Sequence, residues 1–454
     1  VPTPLSRRGV ARRPLLRHPA QVVVVAFATG ILLGTLLLML PAAREGAGGA
    51  PFTTALFTST SATCVTGLVV VDTPSYWSPF GEGVILALIQ VGGFGIMTLA
   101  SLLGLLVWRR LGLRTRITAA AETRTSGLGE VRTVVRGVLT ISVLFELVTA
   151  TALTLRFALG YDEPWGRAAY LGGFHAVSAF NNAGFALWSD SLTRFASDPW
   201  ICLPVAFAVI AGGLGFPVWL ELGRLGRQPR AWSLHTKMTL TVTAALLLLG
   251  AVFVTANEWT NPDTLGALDP PGRLLAGFFH AVMPRTAGFN SVDYGQMHEG
   301  TLLGTEMMMF IGGGSAGTAG GIKVTTFFLL FFVIWAEVRG ERDVEVFSRR
   351  ISDRAVRQAL TVALLALGAV VASTWLLLEL TELATQQVLF EVVSAFATVG
   401  LSTGITAALP TSAQMVLVGL MFLGRLGPVT LVSALALRER QDLHRLPEGR
   451  PIIG

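Results

Sequence analysis

Four short segments end alike: Val65-Thr66-Gly67-Leu68, Asn182-Ala183-Gly184-Phe185, Thr286-Ala287-Gly288-Phe289 and Thr398-Val399-Gly400-Leu401. Residues of this kind can bind a cation stripped of water. Such a cation needs equivalent oxygens, and rings of main-chain carbonyls supply them where the backbone is turned toward one axis. Glycine reaches the dihedrals that such a turn requires. The carbonyls would come from the pair before each glycine and the glycine itself. Ten residues before the four glycines stand Phe57, Phe174, Phe278 and Phe390, and six before stand Ser61, Ser178, Val282 and Ser394. A glycine that merely ends a helix accounts for one such loop. It does not account for four with matching neighbours. Self-similarity at a near-fixed spacing is the mark of a repeat architecture, here one that closes a four-part ring.

The elements that hold these loops lie in a membrane. The chain is 52% hydrophobic and 14% charged, with a mean hydropathy of +0.62, unlike an ordinary soluble protein. Apolar stretches at 21–40, 83–108, 138–160, 200–222, 238–255, 302–335, 359–378 and 415–437 are each long enough to span a bilayer, which takes about 20 helical residues. Of the 34 Lys and Arg residues, 26 fall in 1–20, 108–136, 221–238, 336–360 and 437–454. Every second loop is therefore basic, which puts both termini in the cytoplasm by the positive-inside rule. Eight crossings follow, with four shorter segments between them.

The first short segment, 52–63, is too short to cross and carries Thr53, Thr54, Thr58, Ser59, Thr60 and Ser61. A re-entrant helix buried in protein fits both facts. Proline suits a helix's first turn and opens three of the four segments, at Pro51, Pro164 and Pro270. The expected fold is an all-α membrane protein. Four parallel repeats of outer helix, re-entrant pore helix and loop, and inner helix surround one pore. The boundaries are a cytoplasmic N-terminal segment (1–20), repeats at 21–115, 116–230, 231–345 and 346–440, and a cytoplasmic tail (441–454). Two crossings per repeat make all four enter from one side, unlike an inverted-repeat transporter.

Below the loops the repeats differ. Residues 312–321 run Gly312-Gly313-Gly314-Ser315-Ala316-Gly317-Thr318-Ala319-Gly320-Gly321, followed by Ile322 and Lys323. Irregular backbone at mid-membrane depth is tolerated where it is buried in protein or lines a cavity, so this stretch reads as a gate in the ion path. Only this third inner helix is expected to break. Gly92-Gly93-Phe94-Gly95 and Gly212-Gly213-Leu214-Gly215 read as close helix packing. Arg425, in Gly424-Arg425-Leu426-Gly427, is an intramembrane charge and a functional candidate. It is placed to pin the gate through its carbonyls. Lys323 belongs to the gate or snorkels to the surface. Asp72, Asp190 and Asp293 follow three of the loops by five or six residues. They form either a cation-concentrating outer vestibule or ordinary loop caps. Glu146 is expected to pair with another polar group. His175 and His280 sit at unmatched offsets and are expected in the core.

Other classes fit poorly. The basic residues follow membrane topology rather than a nucleic-acid face. Cys64 and Cys202 form no metal-like spacing or disulfide framework. Ser6-Arg7-Arg8 precedes an apolar run longer than a signal peptide's. No nucleophile–base set or phosphate loop argues for an enzyme.

The residues resemble the Trk/Ktr/HKT superfamily of K⁺ transporters, and within it the KtrB-type membrane subunits. The likeness covers nearly the whole chain. It is most specific at Thr66-Gly67-Leu68-Val69-Val70-Val71-Asp72, Gln90-Val91-Gly92-Gly93-Phe94-Gly95, Asn181-Asn182-Ala183-Gly184-Phe185, Arg285-Thr286-Ala287-Gly288-Phe289-Asn290 and Ala316-Gly317-Thr318-Ala319-Gly320-Gly321-Ile322-Lys323. The resemblance implies selectivity-filter glycines at Gly67, Gly184, Gly288 and Gly400, an intramembrane gate at 312–323, and the family's characteristic arginine at Arg425. It further implies K⁺ uptake across a bacterial-type inner membrane, and a homodimer on a cytosolic nucleotide-binding ring of the KtrA kind that binds ATP or ADP. TrkH relatives usually carry two extra N-terminal helices, and the first repeat here begins by residue 21. Plant-type relatives that prefer Na⁺ have serine at the first filter glycine, and Gly67 stands here. Na⁺ dependence, and the alternatives of a proton-coupled TrkH-type transporter or a proton-coupled carrier of a small solute, stay open.

Overall fold

The structure is a computed structural model that describes residues 19–110, 128–226, 228–341 and 343–427. The expected C-terminal tail and nearly all of the N-terminal segment lie outside the described residues. Four outer helices are α1 (Pro19–Leu38), α4 (Leu128–Gly160), α8 (Leu234–Glu258) and α12 (Asp353–Leu380). Four short helices follow them: α2 (Phe52–Thr63), α5 (Trp165–Phe180), α9 (Pro270–Val282) and α13 (Thr385–Ala397). The inner elements are α3 (Pro79–Arg110), the pair α6 (Pro199–Leu214) and α7 (Phe216–Leu225), the pair α10 (Glu299–Phe310) and α11 (Val324–Val338), and α14 (Thr411–Leu426). A two-residue hairpin, β1 (Glu345–Val346) with β2 (Arg349–Arg350), links α11 to α12. It is a small departure from an all-helical chain.

Each short helix packs on the outer helix before it, so α1 meets α2, α4 meets α5, α8 meets α9 and α12 meets α13. Each inner helix then packs on the short helix of the next repeat. α3 meets α5, α6 meets α9, α10 meets α13, and α14 returns to meet α2. That last contact closes the circle. The short helices therefore sit inside a shell of helices, as the Ser- and Thr-rich composition of α2 demands. Thr58, Ser59, Thr60 and Ser61 are at most 2% exposed. Outer helices instead show Leu32, Leu33, Leu147, Leu248 and Leu364 outward, the side lipid would wet. Cys64 and Cys202 are free and buried.

The crossings depart from eight uniform spans. Among the described residues five helices are long and apolar enough to cross a membrane, or six if the bent pair α6–α7 counts as one. That pair corrects the expectation that only the third inner helix breaks. α6 and α7 meet at 94°. The hinge is Gly215, at φ 92° and ψ 151°, a conformation essentially reserved for glycine. Pro217 follows within the first turn of α7, where its missing N–H is harmless. The third inner span divides into α10 and α11, as expected. Only the α14 part of the fourth, up to Leu426, is described.

Candidate functional site

The four glycine loops share one backbone. The residue two before each glycine is left-handed: Val65 at φ 56°, Asn182 at 59°, Thr286 at 68° and Thr398 at 52°. The glycines themselves have φ of 94°, 71°, 77° and 90°. A β-branched residue in this region is a genuine outlier, and three of the four are β-branched. Such conformations persist only where the surroundings over-determine them, often at functional sites.

The loops also meet. A methyl group placed on any of the four glycines would come within 3.0 Å of the carbonyl that precedes the next glycine. Gly67 faces the Ala183 carbonyl, Gly184 that of Ala287, Gly288 that of Val399, and Gly400 that of Thr66. The contacts run once around and close. The sequence-expected residues Val65, Thr66, Asn182, Ala183, Thr286, Ala287, Thr398 and Val399 are thus brought together with their glycines. Each is at most 1% exposed.

The turn into the ring is made in two ways. The amides of Thr66, Ala183 and Val399 donate to carbonyls five residues back, at Ser61, Ser178 and Ser394 (2.7, 2.7 and 2.8 Å). In the third repeat the Ala287 amide donates to Met283, four residues back (3.0 Å). The third helix therefore reaches its glycine with one residue fewer. This corrects the counted spacing. The buried counterpart of Phe57, Phe174 and Phe390 is Phe279, at 0% exposed, while Phe278 is half-buried. Met283 stands where the other repeats have serine. Elsewhere those serines tie the loops: Ser61 and Ser394 hydroxyls accept from the Gly67 and Gly400 amides (3.0 and 3.1 Å), and Ser178 donates to Phe185 (2.8 Å).

The same shift pairs His175 with His280. Each lies in the core and presents Nε2 to the segment beyond its glycine. His175 accepts from the Leu187 amide (3.2 Å), and His280 from those of Ser291 and Val292 (both 3.2 Å). They brace the loops rather than merely fill space. Glu146 does find polar partners. Gln90 and Asn181 donate to it at 3.3 and 3.2 Å, and Asn181 donates to Gln90 at 2.8 Å, which ties α3, α4 and the end of α5.

The three aspartates are used locally. Asp72 accepts from Ser75 and Ser189 (2.5 and 2.8 Å), so it joins the first and second outer segments. Asp190 is paired with Arg194 at 2.7 Å. Asp293 accepts from the Gly295 amide as a turn cap (2.8 Å).

Beneath the ring, the glycine-rich segment is stitched to almost every neighbour. Its ends pair, with Gly312 N–H donating to Ile322 (2.8 Å) and Val324 N–H to Gly313 (3.1 Å). Gly314 and Thr318 amides donate to Gly213 and Gly212 carbonyls (2.7 and 3.1 Å), and the Phe216 amide donates to Ala316 (3.3 Å). The bend at Gly215 thus seats Ser315, Ala316 and Gly317, and a side chain at 215 would strike them. Gly320 N–H donates to the Thr286 hydroxyl (3.3 Å). Gly321 is at φ 62°. Lys323 folds back to the Ala319 carbonyl instead of reaching outward.

Two buried arginines fix the segment from outside. Arg425, 4% exposed, donates to Thr318 O and to Gly92 O at 3.1 Å, which links the fourth, third and first repeats. Arg285, which sequence reasoning did not single out, donates to Gly312 O (3.1 Å) and to Thr243 O (3.3 Å). Its position between proline and the loop was the available signal. Gly92 and Gly212 pack as expected, pressing on the carbonyls of Thr63 and Phe180, and Gly424 presses likewise on that of Phe396. Gly312, their counterpart, meets Gly320 of its own segment.

Comparison with known proteins agrees with this architecture. The family model of the TrkH cation transport proteins matches residues 6–443. Over 436 residues the chain is 39% identical to the Ktr system potassium uptake protein B of Bacillus subtilis, covering 96% of this chain and 97% of that protein. It is 35% identical over 443 residues to the potassium/sodium uptake protein NtpJ of Enterococcus hirae, with 96% and 97% covered. Its fold is similar to the crystal structure of the potassium transporter TrkH from Vibrio parahaemolyticus, with a TM-score of 0.75 at 18% identity, over 94% of this chain and 87% of that one. By sequence and by fold, this multi-pass membrane chain belongs to the TrkH family of cation transport proteins.

Proposed function

We propose that this chain takes up K⁺ through the ring of glycine loops, with segment 312–323 as its gate. One observation carries the reading: four left-handed residues and four glycines make a closed circuit in which each glycine abuts the next loop's carbonyl. Such a ring offers oxygens from all four repeats to one axis, in place of a hydration shell. Each short helix also aims its negative C-terminal end there, which favours a cation. Val65 to Gly67, Asn182 to Gly184, Thr286 to Gly288 and Thr398 to Gly400 form the filter. Residues 312–321, Lys323 and Arg425 form the gate. Of the outer aspartates, Asp72 and Asp293 are free of cationic partners among the described residues and draw cations in, while Arg194 offsets Asp190.

The rest of the proposal rests on the relatives. Two are named as potassium uptake protein B of a Ktr system, and a third as a potassium/sodium uptake protein. A Ktr-type assembly pairs this chain with a second copy and with a cytosolic ring of the KtrA kind that binds ATP or ADP. The repeats follow the boundaries at 115, 230 and 345, in an inner membrane with both termini cytoplasmic.

The test is tracer Rb⁺ uptake by proteoliposomes under an imposed membrane potential. Wild-type protein should take up Rb⁺ against excess Na⁺, Gly67→Ser should lose that discrimination, and deletion of 313–320 should raise flux. Unchanged discrimination in Gly67→Ser would sink the filter, and wild-type flux in the deletion would sink the gate. Uptake driven by a proton gradient at zero potential would favour the proton-coupled alternatives.

A further inference from the structure

Beyond lying in the ion path, segment 312–323 is bonded to the side chains of the left-handed residues in the ring. Thr318 Oγ1 donates to Asn182 Oδ1 at 2.7 Å. The Asn182 amide nitrogen in turn donates to the Arg285 carbonyl (3.4 Å), one residue from Thr286. Thr286 Oγ1 accepts from the Gly320 amide (3.3 Å). Arg285 closes this circuit onto Gly312. All three side chains are buried: Thr318 and Thr286 are 0% exposed and Asn182 is 1%. Water cannot take over these bonds while the segment stays in place.

The bonds fall unevenly around the ring. Loops two and three bond the segment through Asn182 and Thr286. In loop four, Thr398 lies against Gly320 without a hydrogen-bond partner for its hydroxyl. Loop one has Val65 at this position, whose side chain can bond nothing. A segment that leaves its site must release the two residues whose left-handed backbone shapes loops two and three. Such backbone is held only by its surroundings.

We propose that Thr318, Asn182 and Thr286 couple the gate to the filter, so that the closed segment also holds the ion-selecting shape of loops two and three. This rests on the filter and gate reading above. The three are positioning residues: when the segment leaves, loops two and three loosen while loop one stays as the fixed reference, so flux rises and the Rb⁺/Na⁺ ratio falls without being lost.

The experiment uses full-length protein in proteoliposomes and reads two quantities, total Rb⁺ flux and the Rb⁺/Na⁺ flux ratio. Thr318→Val removes the hydroxyl but keeps the shape, the amide bond to Gly212 and the carbonyl bond to Arg425. Thr318→Ser keeps the hydroxyl. Thr286→Val is a second variant whose fold the structure supports, because Val65 already occupies the matching left-handed position at φ 56°. Each valine variant should raise flux roughly three- to tenfold, the scale of one hydrogen bond in an equilibrium, and lower the ratio together with it. Thr318→Ser should restore both. Higher flux with an unchanged ratio would reduce these residues to gate latches. A lower ratio with unchanged flux would confine them to the filter, and two unchanged readouts would remove the coupling altogether. Each of these overturns the proposal while leaving the base reading intact. That reading fails separately, if Gly67→Ser keeps wild-type discrimination.

Discussion

The first and third repeats reach the same glycine-loop backbone by different means. In the first, Ser61 binds the loop twice, through its carbonyl to Thr66 and its hydroxyl to Gly67. The inner helix α3 then runs unbroken from Pro79 to Arg110, through its own glycine cluster. In the third, the serine is absent and the approach is one residue shorter. His280 braces the loop there as His175 does in the second repeat, Arg285 ties it to Gly312, and the inner helix is interrupted between Phe310 and Val324. The ring thus constrains its members to one shape but not to one set of supports. Support that comes from within the repeat leaves the first loop independent of what lies beneath it. Support from the interrupted helix makes the third loop answer to it.

The largest test of this comparison asks whether the two loops are equal where the ring is concerned. Both glycines have positive φ and abut a neighbour's carbonyl. Gly67→Ala and Gly288→Ala should each cut Rb⁺ uptake by about 100-fold, since a left-handed alanine costs about 1–2 kcal/mol before the collision adds its own cost. Tolerance of alanine at one site alone would break the equivalence. A second test concerns the register. Phe279→Ala should destabilise the protein by about 3–5 kcal/mol, as for a buried phenylalanine, and Phe278→Ala by clearly less. Thermal unfolding in detergent reads the order, and the reverse order would restore the counted spacing. A third contrasts the arginines. Lysine carries a compact charge and lacks the planar fork that reaches two carbonyls at once. Arg425→Lys and Arg285→Lys should each raise flux, by roughly tenfold for a lost charged hydrogen bond of about 1.5 kcal/mol. If only Arg425→Lys acts, Arg285 serves the fold and not the segment.

Much of this was legible in the sequence because it is repetitive or costly. Four glycine loops, four segments too short to cross, the first of them polar, and a run of glycines inside an apolar span have few readings in a membrane. Arg425 stood out because a charge there is expensive. What escaped was relational. The bend at Gly215 looks like helix packing until Ala316 and Gly317 are seen lying in it. The one-residue shift of the third repeat was hidden because Phe278 and Phe279 are adjacent, so the count found a phenylalanine either way. Only Val282, in place of serine, hinted at it. Arg285 sat inside a motif whose glycine drew the attention, and the two histidines looked unrelated because the shift offset them by one.

The histidines give the smallest and most discriminating prediction. The shift makes His175 and His280 the same device, and they differ in load. His175 accepts one amide, from Leu187. His280 accepts two, from Ser291 and Val292. Leucine at either site fills much of the space and accepts nothing. A buried amide left without an acceptor costs about 1–3 kcal/mol, so His280→Leu should lower stability more than His175→Leu, by about one such increment. The same variants separate bracing from packing, because a space-filling role would leave leucine nearly neutral at both sites. Equal losses would mean that the second amide at His280 finds another partner, and that the third loop does not depend on its histidine more heavily than the second depends on its own.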